Sequence, residues 1–184
     1  MKLIVAVTGA SGVQYAISLL EFLKKKKVET HLIISEWAKE LIKEETDFDI
    51  KKLSSLAYKV YGNKDMKSAL ASSSFLVDGM VVIPCTLKSA SEIANAHCGT
   101  LIARSADNML KSRKKLIVCL RETPLSTPAL EQLHKLSIAG AIVLPLSPGF
   151  YHKPKDINDL ISFIVGKIAD LLCIENNEFK RWGS

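Results

Sequence analysis

Five short apolar runs, each rich in branched residues, leave this chain few architectures: Leu3 to Val7, Val28 to Ile34, Met80 to Ile83, Leu116 to Leu120 and Ala141 to Leu144. After the first, Val13, Ala16, Ile17, Leu20 and Leu23 recur at helical spacing. A polar helix from about Glu36 to Glu45 follows the second, and a helical stretch through Ala94 follows the third. Strands separated by helices pair in parallel, because such crossovers need about a dozen residues or more, and the crossover helices bury both sheet faces. A doubly wound α/β sheet in three αβα layers follows. At 184 residues the chain suits a single domain, 1–184, given roughly 150 residues per domain.

The last periodic segment, about Asp156 to Leu172, carries Ile157, Leu160, Ile161, Ile164, Ile168, Leu171 and Leu172 on one face, to pack on the sheet or on a neighbouring subunit. The residues after about 173 are expected against such a neighbour. Lys51 to Ser74 has weak periodicity, a Gly62-Asn63 turn signal and a serine run, and reads as irregular structure with a short helix.

Twenty-five Lys and Arg against 19 Asp and Glu give +6, a balance that suits phosphate ligands, nucleic acid or an anionic membrane surface alike. The runs Lys24 to Lys27 and Arg113 to Lys115 fall at helix ends, where cations complement the helix dipole. With no aromatic interleaving and no nucleic-acid signature, no nucleic-acid partner is expected. No apolar run approaches the ~18 residues of a membrane span, and Met1 leads into LIVAVTG without a signal-peptide pattern, so the expectation is a cytoplasmic protein with no membrane partner. Cys85, Cys98, Cys119 and Cys173 lack paired zinc or redox spacing and read as buried free thiols. His31, His97, His134 and His152 show no ligand spacing, so no metal is expected.

Ligands of open parallel sheets bind beyond the carboxyl ends of the strands. After the first run stands Gly9-Ala10-Ser11-Gly12, small enough for backbone N–H groups and a hydroxyl to approach an anion at a helix start, and equally a tight turn with a capping serine. Ser35 and Trp37 follow the second run and read as an N-cap and a packing aromatic. The third is followed by Pro84-Cys85-Thr86-Leu87-Lys88-Ser89, the fourth by Arg121-Glu122-Thr123-Pro124, and the fifth by Pro145, Pro148, Phe150 and Tyr151. Charges directly after a buried strand need partners or a ligand, so Arg121 and Glu122 are either a loop ion pair or part of a site.

Together, GASG at 9–12, GMVVIPCTLKSASEIA at 79–94, ARSADNMLK at 103–111, LRETPLS at 120–126 and PGFYHKP at 148–154 resemble the UbiX-like flavin prenyltransferases, accessory flavoproteins of aromatic acid decarboxylases. The motifs keep the family's order from about residue 2 to Trp182. The resemblance implies a flavodoxin-like, Rossmann-like fold and a homo-oligomer, with a dodecamer expected. It implies transfer of a dimethylallyl group from dimethylallyl monophosphate to reduced FMN, with prenylated FMN passed to a UbiD-type decarboxylase and no metal. Matched position by position, Gly9, Ala10, Ser11, Ser35, Thr86, Leu87, Lys88, Ser89, Arg104 and Arg121 are implied to contact FMN. Tyr151, Lys167 and Lys111 are implied to hold the prenyl phosphate, Arg104 and Lys111 coming from a neighbouring subunit. Ser11, Glu45, Glu122, Tyr151 and Trp182 are implied in the chemistry.

Some positions depart from the family pattern. Lys167 stands where Arg is frequent, which keeps charge but loses bidentate geometry. Thr86-Leu87 replaces Ser-Met, and the segment Ala96 to Thr100 is atypical. Two other functions share the fold: an FMN-dependent cysteine decarboxylase, whose PASANT-like segment is replaced here by PCTLKS, and a non-catalytic FMN carrier for a decarboxylase.

Overall fold

Each of the five apolar runs forms a parallel strand in the structure, a computed structural model that describes residues 1–183. The strands are β1 (Lys2–Val7), β2 (Glu29–Ile34), β3 (Lys59–Gly62), β4 (Gly79–Cys85), β5 (Lys115–Leu120) and β6 (Ile142–Pro145). Between and after them run α1 (Val13–Lys25), α2 (Glu36–Glu45), α3 (Ile50–Ser54), α4 (Leu87–Ala94), α5 (Leu101–Lys111), α6 (Thr127–Ile138) and α7 (Ile157–Leu171). The sheet order is β3-β2-β1-β4-β5-β6, all parallel. Without β3 the order is the 2-1-3-4-5 of flavodoxin-like sheets, and with it the 3-2-1-4-5-6 of the dinucleotide-binding ones.

Alternation within the strands divides the core. Leu3, Val5 and Val7 face a cluster with Leu20 and Leu23 of α1, Ile42 of α2 and Ile164 and Ile168 of α7. Ile4 and Ala6 face the other cluster, with Ile93 of α4, Leu101 and Ile102 of α5 and Leu136 of α6. Each fully buried aliphatic side chain contributes roughly 1.5–3 kcal/mol. β3 corrects the reading of residues 51–74 as irregular: α3 is the anticipated short helix, but Lys59–Gly62 pairs with β2 at the sheet edge. Its four residues, Lys-Val-Tyr-Gly, bury only Tyr61 and form no apolar run.

Helix starts follow the expected chemistry. Ser35, Thr86, Thr100, Ser126 and Asp156 each accept a hydrogen bond from an N–H of the first turn of α2, α4, α5, α6 and α7. α1 differs, since its N-cap is Gly12 at φ 97°, with no side chain to cap it. At the other end of the sheet, Lys115 Nζ donates to the Leu171 carbonyl (2.6 Å), so a residue of the basic run Arg113 to Lys115 closes the α7 C-terminus.

Beyond α7 the chain folds back along that helix. Asn176 Nδ2 donates to Asp170 (2.9 Å), and Arg181 grips Asp170 with two bonds of 2.9 and 2.7 Å. A Cβ on Gly166 would lie 2.5 Å from the Phe179 ring, so only glycine lets the tail lie this close. No helix among the described residues is long and apolar enough to cross a membrane.

Candidate active site

The strand order reverses between β1 and β4, and the loops leaving these strands are welded by Thr8. Its hydroxyl, 1% exposed as a residue, donates to the Pro84 carbonyl (2.7 Å) and accepts from the Thr86 N–H (2.9 Å). Pro84 has no N–H for the ladder, and the β4–β5 register shifts between Val82 and Cys85. Gly9 is required by a close approach: a Cβ there would lie 2.5 Å from the Trp37 Cβ. Gly12 is required by its positive φ.

The start of α1 already holds an anion, the Glu45 carboxylate. It accepts from the N–H groups of Gly12 (2.8 Å) and Val13 (3.2 Å), while Gln14 Nε2 donates to the Glu45 carbonyl (2.9 Å). Glu45 therefore takes the place of the missing N-cap side chain. The helix starts left for a ligand anion are those of α2, α4 and α5, whose N-caps Ser35, Thr86 and Thr100 line one cavity of about 400 Å³ together with Thr8, Gly9, Trp37 and Ser89. Ser35 Oγ accepts from Ala38 N–H (3.2 Å), and Thr86 Oγ1 accepts from Ser89 N–H (3.1 Å) and donates to Ser89 Oγ (3.1 Å). Lys88 stands at the rim, paired with Glu92 (2.7 Å), and also lines the cavity. Ala10 is buried, Leu87 half-buried and Ser11 exposed.

Arg121 begins the loop after β5, with its N–H on the Cys85 carbonyl (3.2 Å). Its Cγ lies 3.9 Å from where a Gly12 Cβ would stand, so the side chain crosses toward the β1–α1 loop. Its Nε is buried with no hydrogen-bond partner. A buried guanidinium N–H without an acceptor costs free energy and fits a ligand acceptor at this point. Glu122 is exposed, and its Oε1 accepts from the Thr123 N–H (3.2 Å). Among the described residues neither side chain enters an ion pair, so the loop ion-pair alternative fails.

At the sheet edge an aromatic cluster forms around Phe163 of α7. Tyr151 meets it edge-on (5.8 Å), His152 stacks on it (5.2 Å, 11°), and Phe179 of the tail tilts against it (4.9 Å). Trp182 reaches Tyr151 edge-on at 5.2 Å. Lys167 lies over the Phe163 and Phe179 rings and lines a groove of about 390 Å³ with Pro145, Ser147 and Asp170. Both ring nitrogens of His152 are buried without a partner, a feature that residue type alone does not announce. Trp37, read from sequence as a packing aromatic, is instead 77% exposed.

One chain does not bring every implied residue together. Arg104, Asp107 and Lys111 follow each other along one side of α5, with Lys111 Nζ on Asp107 (2.8 Å), and α5 covers the sheet face opposite α1 and α7. The cysteines, all free, divide: Cys85 and Cys119 are buried, Cys98 is half-buried and Cys173 is exposed, so the expectation of buried thiols holds for two of them. Burial pushes the Cys85 thiol up to about 12 and Cys119 upward as well, which makes the cysteine inside PCTLKS a core residue and not a nucleophile. No group of three or more His, Cys, Asp or Glu among the described residues could hold a metal ion.

Comparison with known proteins agrees with this architecture. A family model described as Flavoprotein matches residues 1–169. Flavin prenyltransferase UbiX of Methanocaldococcus jannaschii is 52% identical over 184 residues, all of both chains. Among solved structures, AnUbiX (PadA1) in complex with FMN and dimethylallyl pyrophosphate superimposes with a TM-score of 0.97 at 41% identity, over 100% of this chain and 97% of that one. A dodecameric FMN-dependent UbiX-like decarboxylase from Escherichia coli gives 0.97 at 37% identity over the whole of both chains. With a switch-point cleft lined by helix starts and likeness of this extent over its full length, the chain belongs to the flavoprotein family and, within it, to the UbiX-like flavin prenyltransferases.

Proposed function

We propose that this protein joins a dimethylallyl group from dimethylallyl monophosphate to reduced FMN in the cytoplasm, and that a UbiD-type decarboxylase receives the prenylated FMN. The observation that carries the reading is the buried, unpartnered Arg121 Nε beside the β1–α1 loop, a charged donor awaiting an acceptor next to a loop whose Gly9 lines the cleft with hydroxyls at its helix starts. The full-length likeness to flavin prenyltransferases supports it.

Ser35, Thr86 and Ser89 hold the FMN phosphate at the starts of α2 and α4, with Gly9, Ala10, Ser11, Leu87 and Lys88 forming the walls. Bound reduced FMN supplies a nucleophilic ring nitrogen and an adjacent aromatic carbon. Breaking an allylic C–O bond leaves a phosphate and a dimethylallyl cation, so cationic donors must grip the first and aromatic faces must shield the second from water. Arg121 and Lys167 serve the phosphate, and the Tyr151 hydroxyl donates to it. Arg104 and Lys111, neither of which lines the cavity of its own chain, serve a neighbour's site in a dodecamer, to which the segment after about 173 also contributes. Tyr151 and Trp182 present their rings to the cation. Glu122, exposed at the loop, moves the proton released on ring closure, with Ser11 beside it, and Glu45 fixes the loop that carries Ser11. No metal is called for where cations hold the phosphate.

The test is anaerobic incubation of the purified protein with reduced FMN and dimethylallyl monophosphate, followed by mass spectrometry of the flavin. Prenylated flavin is the expected product, and unchanged FMN overturns the proposal. Glu122→Gln separates a transferase from a carrier, since the variant should bind FMN and lose turnover, whereas a carrier would still activate its decarboxylase.

A further inference from the structure

Trp37 occupies the first turn of α2, two residues after the capping Ser35, yet its indole is 77% exposed. Among the described residues no ring stacks on it and no cation lies over it. Its root is nonetheless fixed, because Gly9 approaches so closely that a Cβ there would meet the Trp37 Cβ at 2.5 Å. The result is an uncovered aromatic ring on an immobile base, lining the same cavity as Ser35, Thr86 and Ser89. One wall of that cavity offers hydroxyls and helix N-termini, which suit an anion. Trp37 offers an aromatic face, which suits a flat heteroaromatic ring. A molecule with a phosphate at one end and a ring system at the other satisfies both.

We infer that Trp37 is a specificity-determining residue of the flavin site, its indole packing against the ring system of bound FMN. The inference rests on the flavin reading of the cleft proposed above. It gives the exposed indole a role that packing within the chain does not supply, and it makes flavin affinity depend on a residue outside the GASG, PCTLKS and RETPL motifs. A second copy of the chain lying over Trp37 is the competing occupant.

The chain has two tryptophans, so Trp182→Phe leaves Trp37 as the sole indole emitter. That variant is titrated with FMN and, separately, with riboflavin, which has the ring system and no phosphate. Indole emission and flavin polarisation are followed in parallel. Expected is quenching of Trp37 that tracks flavin binding, and a Trp37→Ala variant whose dissociation constants for both flavins rise on the order of tenfold, as loss of aromatic stacking commonly gives. Trp37→Phe should recover most of the affinity. FMN binding without indole quenching, unchanged affinity in Trp37→Ala, or a loss confined to FMN overturns the inference and leaves the flavin reading standing. So does subunit dissociation of Trp37→Ala in light scattering with intact flavin affinity, which assigns the residue to an interface. Failure of the wild-type protein to bind FMN overturns both.

Discussion

The two halves of the carboxyl edge are built differently. At the β1–β4 switch point Thr8 bridges two loops, Glu45 caps α1, and Ser35 and Thr86 cap α2 and α4. Near β5 and β6 the pattern reverses, with Arg121 Nε and both nitrogens of His152 buried and unpartnered and Trp182 81% exposed. The hydrogen bonds of the first region close within one chain, and a ligand meets those loops already organised. The second holds polar groups whose acceptors must come from a ligand or another subunit. Organisation within the chain suits a flavin that must be held in one position while it reacts, and incompleteness suits a small donor whose phosphate enters and leaves.

Substitution of Arg121 should break this contrast most severely. Arg121→Ala is expected to lower kcat/KM for the prenyl donor by about 10²–10³, the usual loss when one preorganised donor is removed from a reacting centre. Steady-state kinetics beside FMN titration tell which half owns the residue. A loss confined to the donor reaction places Arg121 with the incomplete half, while an equal loss of FMN affinity moves it to the complete half.

Thr8→Val probes the completed half. The isosteric change removes one hydroxyl; the Pro84 carbonyl keeps the Thr8 N–H (3.3 Å), but the Thr86 N–H loses its acceptor in a part-buried setting, which costs about 1–3 kcal/mol. Urea unfolding should report that loss, together with weakened FMN binding as the two loops come apart. A variant with unchanged stability would show that solvent or a shifted backbone fills the gap, and that the weld is not what organises the cleft.

Legibility in the sequence follows the same division. Five of the six strands and their helices were readable because buried parallel strands are continuous apolar runs and their helices are periodic, and Ser35 stood in place as an N-cap, whereas α1 takes its cap from Glu45 and not from Ser11. The edge strand Lys59–Gly62 was hidden because Lys-Val-Tyr-Gly forms no apolar run, whereas the equally short edge strand β6, Ile-Val-Leu-Pro, does. Within the site, residues on loops directly after strands could be named from position and chemical type. What could not be read was partnership across the sequence. Glu45 reaches Gly12 over 33 positions and Thr8 reaches Pro84 over 76, and no local pattern encodes either. Lys111 was named from its motif, whereas the placement of α5 beside α4, on the sheet face opposite α1 and α7, is a property of the whole sheet.

Gly166→Ala tests how the tail belongs to the incomplete half. Alanine is about 1 kcal/mol better than glycine inside a helix, so α7 itself gains. The added Cβ would nevertheless stand 2.5 Å from the Phe179 ring and 3.1 Å from Asn176 Oδ1, and the ring, at the surface, is the part that can move. The expected outcome is a tail lifted from α7, read as faster proteolysis after Leu172, with global unfolding shifted by less than about 1 kcal/mol. An undisturbed tail would mean that its position is held by the polar contacts alone.

Those polar contacts give the smallest effect, and one with a defined pH sense. Hydrogen bonds from Arg181 hold the Asp170 carboxyl below its ordinary value, with Asn176 acting in the same direction and burial opposing. A carboxylate depressed in the folded state contributes stability that is fully present above its unfolded pKa, near 3.9, and is lost as pH falls through the lower folded value. The tail should therefore stay docked through neutral and mildly acid pH and loosen only below about pH 4. Trp182 emission in a Trp37→Phe background reports the change, because Trp182 touches Tyr151 only while the tail is docked. Glu29 is also held below its ordinary value, chiefly by its hydrogen bond with His31, and titrates in the same acid range. Asp170→Asn is thus the needed control: it should abolish the acid transition of Trp182 while leaving any transition at Glu29 in place. Were Trp182 to loosen at the same pH in Asp170→Asn, the tail would be following the fold as a whole and not its own ion pair.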